Sequence, residues 1–210
     1  MDPRKEKMLL RRQHIQRIAH RADPEVGSKL ERMLWRIAKW SPFGGMAIPP
    51  SGRELYMLRT YLTGEGQRLH MPRSLVMDSD YDVGKGVRPY LHFFKRGDDD
   101  EEVHNHPWRV SYSLILAHGY REFRWNPRTK LMEERLLLPG DINVLRHDDY
   151  HRVELIDPDK GCWTVFCSID RLAKSDGKDW GFLNVTTGKY TPWGEFVSKK
   201  EAEDGGTTGN

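Results

Sequence analysis

The chain has 210 residues, of which 37% are hydrophobic and 31% are charged, and its formal net charge at pH 7 is +3. This length allows one domain with a sizeable core plus an appendage, and no apolar run is long enough for a membrane span. Because the first residues also lack the apolar core of a signal peptide, we expect a soluble, cytoplasmic protein.

The N-terminal segment is basic. Residues 1–40 contain eleven Lys/Arg and five Asp/Glu, an excess of six positive charges, so the remaining residues carry a net charge of −3. Residues 4–22 are predicted to form a basic helix. Such an arm can contact nucleic acid, acidic lipid or an acidic partner, although a solvated surface is the favoured interpretation.

Two further helices are predicted before residue 66. Asp23-Pro24-Glu25 favours a helix start, because it combines a capping carboxylate, a first-turn proline and an acid near the helix dipole. An apolar stripe with helical spacing follows, made of Val26, Leu30, Met33, Leu34 and Ile37. A capping box at 51–54 predicts another helix through Leu55, Leu58 and Leu62. Residues 1–66 are therefore interpreted as a helical extension, which forms either a packed cap or the subunit contact of a homodimer.

From about residue 89 the pattern changes to short strands separated by turn residues. The predicted strands are Tyr90–Lys95, Val110–Ala117, Gly119–Trp125, Leu131–Leu138, Asp141–Arg146, His151–Ile156 and Trp163–Ile169. Many short strands with tight turns favour an antiparallel sandwich or barrel, which we assign to residues 67–198. The charged, then Gly- and Thr-rich residues 199–210 are predicted to be disordered.

Both cysteines of the chain, Cys162 and Cys167, fall in the last of these strands. Five residues apart in a strand, they face opposite ways and cannot pair with each other. Reduced thiols agree with a cytoplasmic protein.

Three histidines stand out as candidate metal ligands. His104 and His106 are separated by one residue, so in an extended segment their side chains point to the same face, and His151 follows 45 residues later. Three neutral imidazoles can bind one transition metal ion and leave positions open for water, dioxygen or a substrate. The alternative is three unrelated polar histidines near strand ends, and the registered pattern favours metal binding.

The two histidine segments resemble the two sequence motifs of the cupin superfamily. In the first motif, His104 and His106 match the paired histidines and Gly119 falls at the closing glycine. In the second motif, the glycine and the histidine keep their identity and spacing, while three other positions differ. The conserved pair is Gly140 and His151, and the differing positions are Arg146, Asp148 and Leu155. The resemblance covers roughly residues 88–170.

The resemblance implies a mainly β fold, a cupin-like antiparallel β-barrel (double-stranded β-helix) carrying the N-terminal helical extension. The glutamate of the first motif should fall at position 110 or 111, where this chain has Val110 and Ser111. A site resembling the four-ligand cupins would therefore lack its carboxylate. The remaining three histidines resemble the arrangement of thiol-dioxygenase-like cupins.

This resemblance implies a metal-dependent enzyme, in the first place a non-haem iron oxygenase that acts on a small-molecule substrate. Zinc, nickel, manganese and copper are the alternatives to iron. Two other functions stay open, namely a metal-dependent isomerase or lyase and a non-catalytic small-ligand-binding cupin.

Four further residues are assigned candidate roles near the metal. His92 is interpreted as a hydrogen-bond donor to a metal ligand, as a fourth ligand or as a core histidine, and Glu122 as a displaced carboxylate ligand or an exposed strand residue. Arg109 and Tyr112 are predicted to orient an anionic substrate, through a bidentate contact and a hydroxyl group respectively. For both, a surface or packing role is the alternative.

The other polar segments are assigned no chemistry. His118 and His147 are expected to be solvated at turns, and the acidic run 98–102 to be a solvated loop. Two tryptophan-containing stretches, 179–182 and 192–196, are expected to close over the outer face of the barrel.

Overall fold

The computed structural model describes residues 27–48, 55–64, 87–98, 102–172, 179–196 and 198–199. The predicted basic helix over 4–22, the helix start at 23–25 and the tail from residue 200 onward lie outside these residues. Within the described ranges, no helix combines the length and apolarity that crossing a membrane requires.

The first described element is helix α1, Lys29–Trp40. It begins at Ser28, whose Oγ accepts a hydrogen bond from the Glu31 amide (3.2 Å), while Glu31 Oε2 accepts one from the Ser28 amide (2.7 Å). This capping box satisfies two N–H groups that a helix start leaves unpaired. The described helix therefore begins with Ser28 as its N-cap.

Twelve strands follow in the described part of the chain. They are β1 (Gly45–Ile48), β2 (Met57–Tyr61), β3 (Arg88–Phe94), β4 (Val103–His104), β5 (Trp108–Ala117), β6 (Tyr120–Asn126), β7 (Leu131–Leu137), β8 (Ile142–Arg146), β9 (His151–Leu155), β10 (Cys162–Arg171), β11 (Gly181–Leu183) and β12 (Tyr190–Pro192). All seven predicted strands are confirmed.

The strands form two six-stranded antiparallel sheets. The first has the order β1-β2-β3-β10-β5-β8 and the second the order β12-β11-β4-β9-β6-β7. The sheets pack against each other through a core of Ile115, Tyr120, Leu137, Val153 and Cys162. In the described part of the chain they remain two sheets and do not close into one continuous barrel. This mainly β, cupin-like jelly-roll arrangement confirms the fold expected from the sequence.

The predicted helix through Leu62 is wrong, because Met57–Tyr61 is strand β2. This strand pairs with both β1 and β3, so its residues alternate between the two faces of the first sheet. Leu58 is fully buried on the outer face and Arg59 points to the interior beside His92. Strands β1 and β2 thus belong to the first sheet although they fall within residues 1–66.

Helix α1 covers the outer face of the first sheet. Its Trp35 ring lies 4.8 Å from each of the rings of Phe93 and Trp163, measured between centroids. At the far end of β5, His118 Nε2 donates to Glu31 Oε1 at 2.7 Å. The expectation that His118 is solvated is therefore wrong, since the helix covers this turn and only 20% of the His118 side chain is exposed.

Only part of the predicted apolar stripe of α1 packs against the first sheet. Within the stripe, Leu34 is buried, whereas Leu30, Met33 and Ile37 are 39%, 50% and 39% exposed. The other buried residues of the helix are Trp35 and Ala38, which the predicted stripe did not include. Both cysteines are free thiols, Cys162 in the core between the sheets and Cys167 against a different cluster, as predicted from their spacing.

Candidate metal centre

Three histidines meet at one end of the second sheet. His104 ends β4, His106 follows two residues later, and His151 begins β9 as the direct cross-strand partner of His104. One ring nitrogen from each histidine lies within 4.8 Å of the others. His106 Nε2 and His151 Nε2 are 2.9 Å apart. The structure thus brings together the three histidines that the sequence motifs select.

The donor set fits one divalent transition metal ion. Two imidazole nitrogens about 2.9 Å apart can both lie about 2.1 Å from a single ion, at roughly a right angle to each other. Burial is the main cause that lowers the pKa of His104 to about 4; Asp98 raises it and His151 lowers it further. Burial, and then the neighbouring histidines, also hold the pKa of His106 well below its ordinary value. Neutral imidazole is the form that binds a metal.

A buried carboxylate orients His151. The Glu122 side chain is fully buried, and its Oε1 lies 2.9 Å from His151 Nδ1. Because Nδ1 faces Glu122, Nε2 is left to face His106. This carboxylate–histidine arrangement fixes the orientation of a candidate metal ligand. Glu122 therefore lies behind a candidate ligand and outside the three-histidine group, and its burial rules out the exposed position considered from the sequence.

Glu122 is held ionised by a network that joins the two sheets. Asn143 Nδ2 donates to Oε1 at 2.8 Å, Arg124 to both oxygens at 3.1 Å, and Arg135 to Oε2 at 3.3 Å. Burial alone would raise the pKa of Glu122. The contacts with His151, Asn143 and Arg124 outweigh burial and lower this pKa to about 2.

The short segment between the first two histidines is clamped by Asn105. Its Nδ2 donates to the His147 carbonyl and its Oδ1 accepts from the Gly181 amide, both at 2.8 Å. His147 Nδ1 donates to the His106 carbonyl. The expectation that His147 is solvated is therefore wrong, because its ring holds the backbone of a candidate ligand.

Asp98 lies beside the third candidate ligand, His104. Its Oδ1 accepts from the Tyr56 hydroxyl at 2.6 Å and its Oδ2 from the Val153 amide at 2.7 Å. The same Oδ2 lies 3.9 Å from His104 Nδ1. The expectation that the acidic run is a solvated loop is therefore wrong at Asp98, which is half-buried because it accepts a hydrogen bond from strand β9. Residues 99–101 lie outside the described residues.

An aromatic wall from the first sheet lines the interior beside the histidines. The His92 ring stacks on Phe166 at 4.9 Å, and Phe166 lies 5.3 Å from Trp108. Trp108 in turn stacks on His106 at 5.8 Å. His92 is not a member of the three-histidine group, since its Nε2 accepts a hydrogen bond from Arg59 Nε at 2.9 Å.

The two predicted substrate-orienting residues lie on strand β5. Arg109 Nε is 3.6 Å from Asp170 Oδ2, and 38% of the Arg109 side chain is exposed. Tyr112 packs with Val110 and Ile169 in an apolar cluster. Roles toward a substrate stay predictions for both. At the position of the missing motif glutamate, the Ser111 side chain is buried.

The tryptophan-containing stretches extend the second sheet. Strand β11 pairs with β4 and with β12, and the Trp180 ring stacks on Trp193 at 4.8 Å. Phe182 lies 5.6 Å from the His104 ring, between centroids. One of these stretches therefore contributes to the surroundings of the histidine cluster and does not only cover the outside.

Solved structures similar to this chain include a cupin superfamily protein and a cupin-like protein. KdgF from Halomonas sp. is 16% identical over 60% of this chain and 95% of that chain, with a TM-score of 0.37. A cupin superfamily protein from Desulfitobacterium hafniense is 16% identical over 57% and 84%, with a TM-score of 0.34. Oxalate oxidase in complex with the substrate analogue glycolate is 14% identical over 41% of this chain, with a TM-score of 0.34. The match spans less than half (44%) of the oxalate oxidase chain. Neither protein-family models nor the sequences of curated proteins give a match.

Proposed function

We propose that this protein is a metal-dependent enzyme of the cupin fold and, more specifically, a non-haem iron oxygenase that acts on a small molecule. The observation that carries the proposal is the cluster of His104, His106 and His151, with ring nitrogens within 4.8 Å and no carboxylate in the group. Three neutral protein ligands leave other coordination positions free. Iron(II) bound there would offer those positions to a substrate and to dioxygen.

The surrounding residues hold the ligands in place and shield the site. Glu122 fixes the orientation of His151, and Asn105 fixes the segment that carries His104 and His106. The wall of Phe166 and Trp108 presents apolar surface to the interior, which excludes water from the reacting groups.

Proton-transfer chemistry is less well supported. An isomerase or lyase needs a base with a pKa near the working pH, within hydrogen-bond reach of the substrate. Among the described residues, Glu122 and Asp98 are the carboxylates that contact the three-histidine cluster, and both are engaged in hydrogen bonds to the protein. With a pKa of about 2, Glu122 is too weak a base for this role.

The test is dioxygen uptake by protein reconstituted with iron(II) under anaerobic conditions and then mixed with oxygenated buffer and a panel of small molecules. We expect substrate-dependent oxygen consumption by the wild type and none by His106→Ala. His118→Asn is the matched control, because it removes a histidine that pairs with Glu31 outside the cluster. Asparagine also tolerates the positive φ of 68° at this position.

Other outcomes select the alternatives. Conversion of a panel compound without oxygen consumption would contradict the oxygenase and support the isomerase or lyase. Binding of a compound with no turnover under any metal would support the non-catalytic ligand-binding cupin.

A further inference from the structure

Strand β7 is an open edge of the second sheet in the part of the chain that the structure describes. It pairs with β6 on one side and is the last strand in the order of that sheet. In an antiparallel ladder every second residue directs both its N–H and its C=O group to the same side, so alternate residues of β7 direct these groups away from β6. An edge of seven residues with free backbone groups can pair with another strand.

The surface of this edge is largely apolar. Leu131, Met132 and Leu136 are 64%, 36% and 55% exposed. The apolar surface continues past the end of the strand, since Leu138 and Ile142 are 45% and 52% exposed. Edge strands that stay unpaired are usually protected by charges or proline, whereas β7 has no proline and carries its charges at its three central residues. Such an edge is suited to burial against a partner.

The two faces of β7 carry different side chains. Leu137 packs in the core between the sheets, so the odd-numbered residues of the strand share the inner face with it. Arg135, on this inner face, reaches the buried carboxylate of Glu122 at 3.3 Å. The outer-face residues are Met132, Glu134 and Leu136.

The sequence of β7 is complementary to itself about Glu134. Two copies of the strand that pair antiparallel about a twofold axis at Glu134 place an acidic residue opposite a basic one and apolar residues opposite each other. Facing residues are both odd-numbered or both even-numbered, so backbone groups that point away from β6 meet each other. The facing pairs, each formed twice, are Glu133–Arg135, Met132–Leu136 and Leu131–Leu137.

The neighbouring registers lose this match. With the axis at Glu133 or at Arg135, that charged residue faces its own copy and Glu134 faces an apolar residue. A shift of the pairing by a single residue would set outward-directed backbone groups against inward-directed ones. In the register about Glu134 the glutamate also faces its own copy, but each Glu134 pairs with Arg121 of its own chain at 3.7 Å.

We propose that the protein is a homodimer in which the β7 strands of two copies pair antiparallel about Glu134 and join the two second sheets. A twofold contact uses the same surface on both copies and closes on itself, so the assembly ends at two chains. Pairing also covers an edge that would otherwise favour aggregation. The dimer is independent of the proposed function, since β7 carries none of the three candidate ligands.

The first test is sedimentation equilibrium of the full-length protein over a range of concentrations. The wild type should have twice the mass of one chain. Leu136→Lys should raise the dissociation constant of the dimer about 10-fold, because each lysine faces Met132 of the partner subunit and the change occurs twice. The matched control is Met33→Lys, which changes an apolar residue of α1 that is 50% exposed and should leave the dimer intact.

Oxidation of a cysteine variant tests the register. Facing residues of an antiparallel pair have Cα atoms about 4.5–5.5 Å apart, within the range of a disulfide. Two Glu134→Cys chains should therefore become linked under mild oxidation. Leu131→Cys is the control, because residue 131 is 64% exposed on the same strand but faces Leu137 of the partner subunit and not its own copy. The wild type controls for the native thiols.

Mixing two forms of the protein tests the same position without a covalent bond. In a mixture of the wild type and Glu134→Arg, an arginine faces a glutamate across the axis only in the mixed dimer. Native mass spectrometry should therefore show mixed dimers above the statistical proportion, because opposite charges that face each other across a strand pair are stabilising and like charges are not.

Four results would overturn the proposal. They are a wild type that stays a single chain at every concentration, a dimer that Met33→Lys dissociates or that a folded Leu136→Lys leaves intact, linking of Leu131→Cys in place of Glu134→Cys, and mixing in the statistical proportion. If Leu136→Lys fails to fold, the oxidation and mixing experiments decide, because they change the exposed Glu134 alone.

Discussion

Replacing Glu122 by glutamine tests whether the buried carboxylate positions a metal ligand. The substitution keeps the size of the side chain but removes the charge that faces His151 Nδ1 at 2.9 Å. A partner of this kind typically contributes 10- to 100-fold in metal affinity, so we expect Glu122→Gln to weaken metal binding by about that factor. Folding should suffer as well, because Arg124 and Arg135 lose their shared anion. Removing one partner from a buried ion pair costs roughly 3–5 kcal/mol.

The assay is a competition titration of zinc between the protein and a chromophoric chelator, with urea unfolding of the metal-free protein measured in parallel. Glu134→Gln is the matched control, because Glu134 is 56% exposed and pairs with Arg121 on the same sheet. Its effect on both quantities should be small, as for most surface ion pairs. If Glu122→Gln binds zinc as tightly as the control, the carboxylate does not support His151 as a ligand.

Three further changes test the fold and the electrostatics of the site. The metal-free protein should lose stability as the pH falls from about 6.5 to about 4. Over this range His104 takes up a proton in the unfolded chain but not in the folded protein, where its pKa is about 4. The midpoints of urea unfolding at pH 7 and pH 4.5 measure this loss. Trp35→Ala should cost about 3–5 kcal/mol of unfolding free energy, since it empties the contact with Phe93 and Trp163. Gly119→Ala should strongly lower the melting temperature, because φ is +99° and an added Cβ would lie 2.3 Å from the Leu137 carbonyl oxygen; an unchanged melting temperature would contradict this account of the turn.

The strands and the ligand set could be predicted because their signals are local or periodic. A strand alternates faces with a period of two, so His104 and His106 select one face without knowledge of the fold. The spacing of the second motif then adds His151, the direct cross-strand partner of His104.

What supports the ligands could not be predicted, because it depends on register between distant strands. Glu122 reaches His151 only because β6 pairs with β9. From the sequence alone, a glutamate in a strand is expected to be exposed. Its burial is possible here because Asn143, Arg124 and Arg135 face its carboxylate. Asp98 is similar, since its oxygens accept from Tyr56, which precedes β2, and from Val153 in β9.

Strand β2 could not be predicted because a local helix signal competes with tertiary pairing. The capping box at 51–54 and the leucines that follow have helical spacing, yet Met57–Tyr61 pairs along its whole length with β3. Strand propensity depends on such context more than helix propensity does. Alternation along β2, with Leu58 outward and Arg59 inward, is the signal that could have revealed it.

The central claim is that three histidines hold one metal ion, and elemental analysis of reconstituted, desalted protein tests it most directly. The wild type and His118→Asn should each retain about one iron or zinc ion per chain, whereas His104→Ala, His106→Ala and His151→Ala should each lose most of it while remaining folded. Full metal occupancy in all three alanine variants would contradict the ligand assignment.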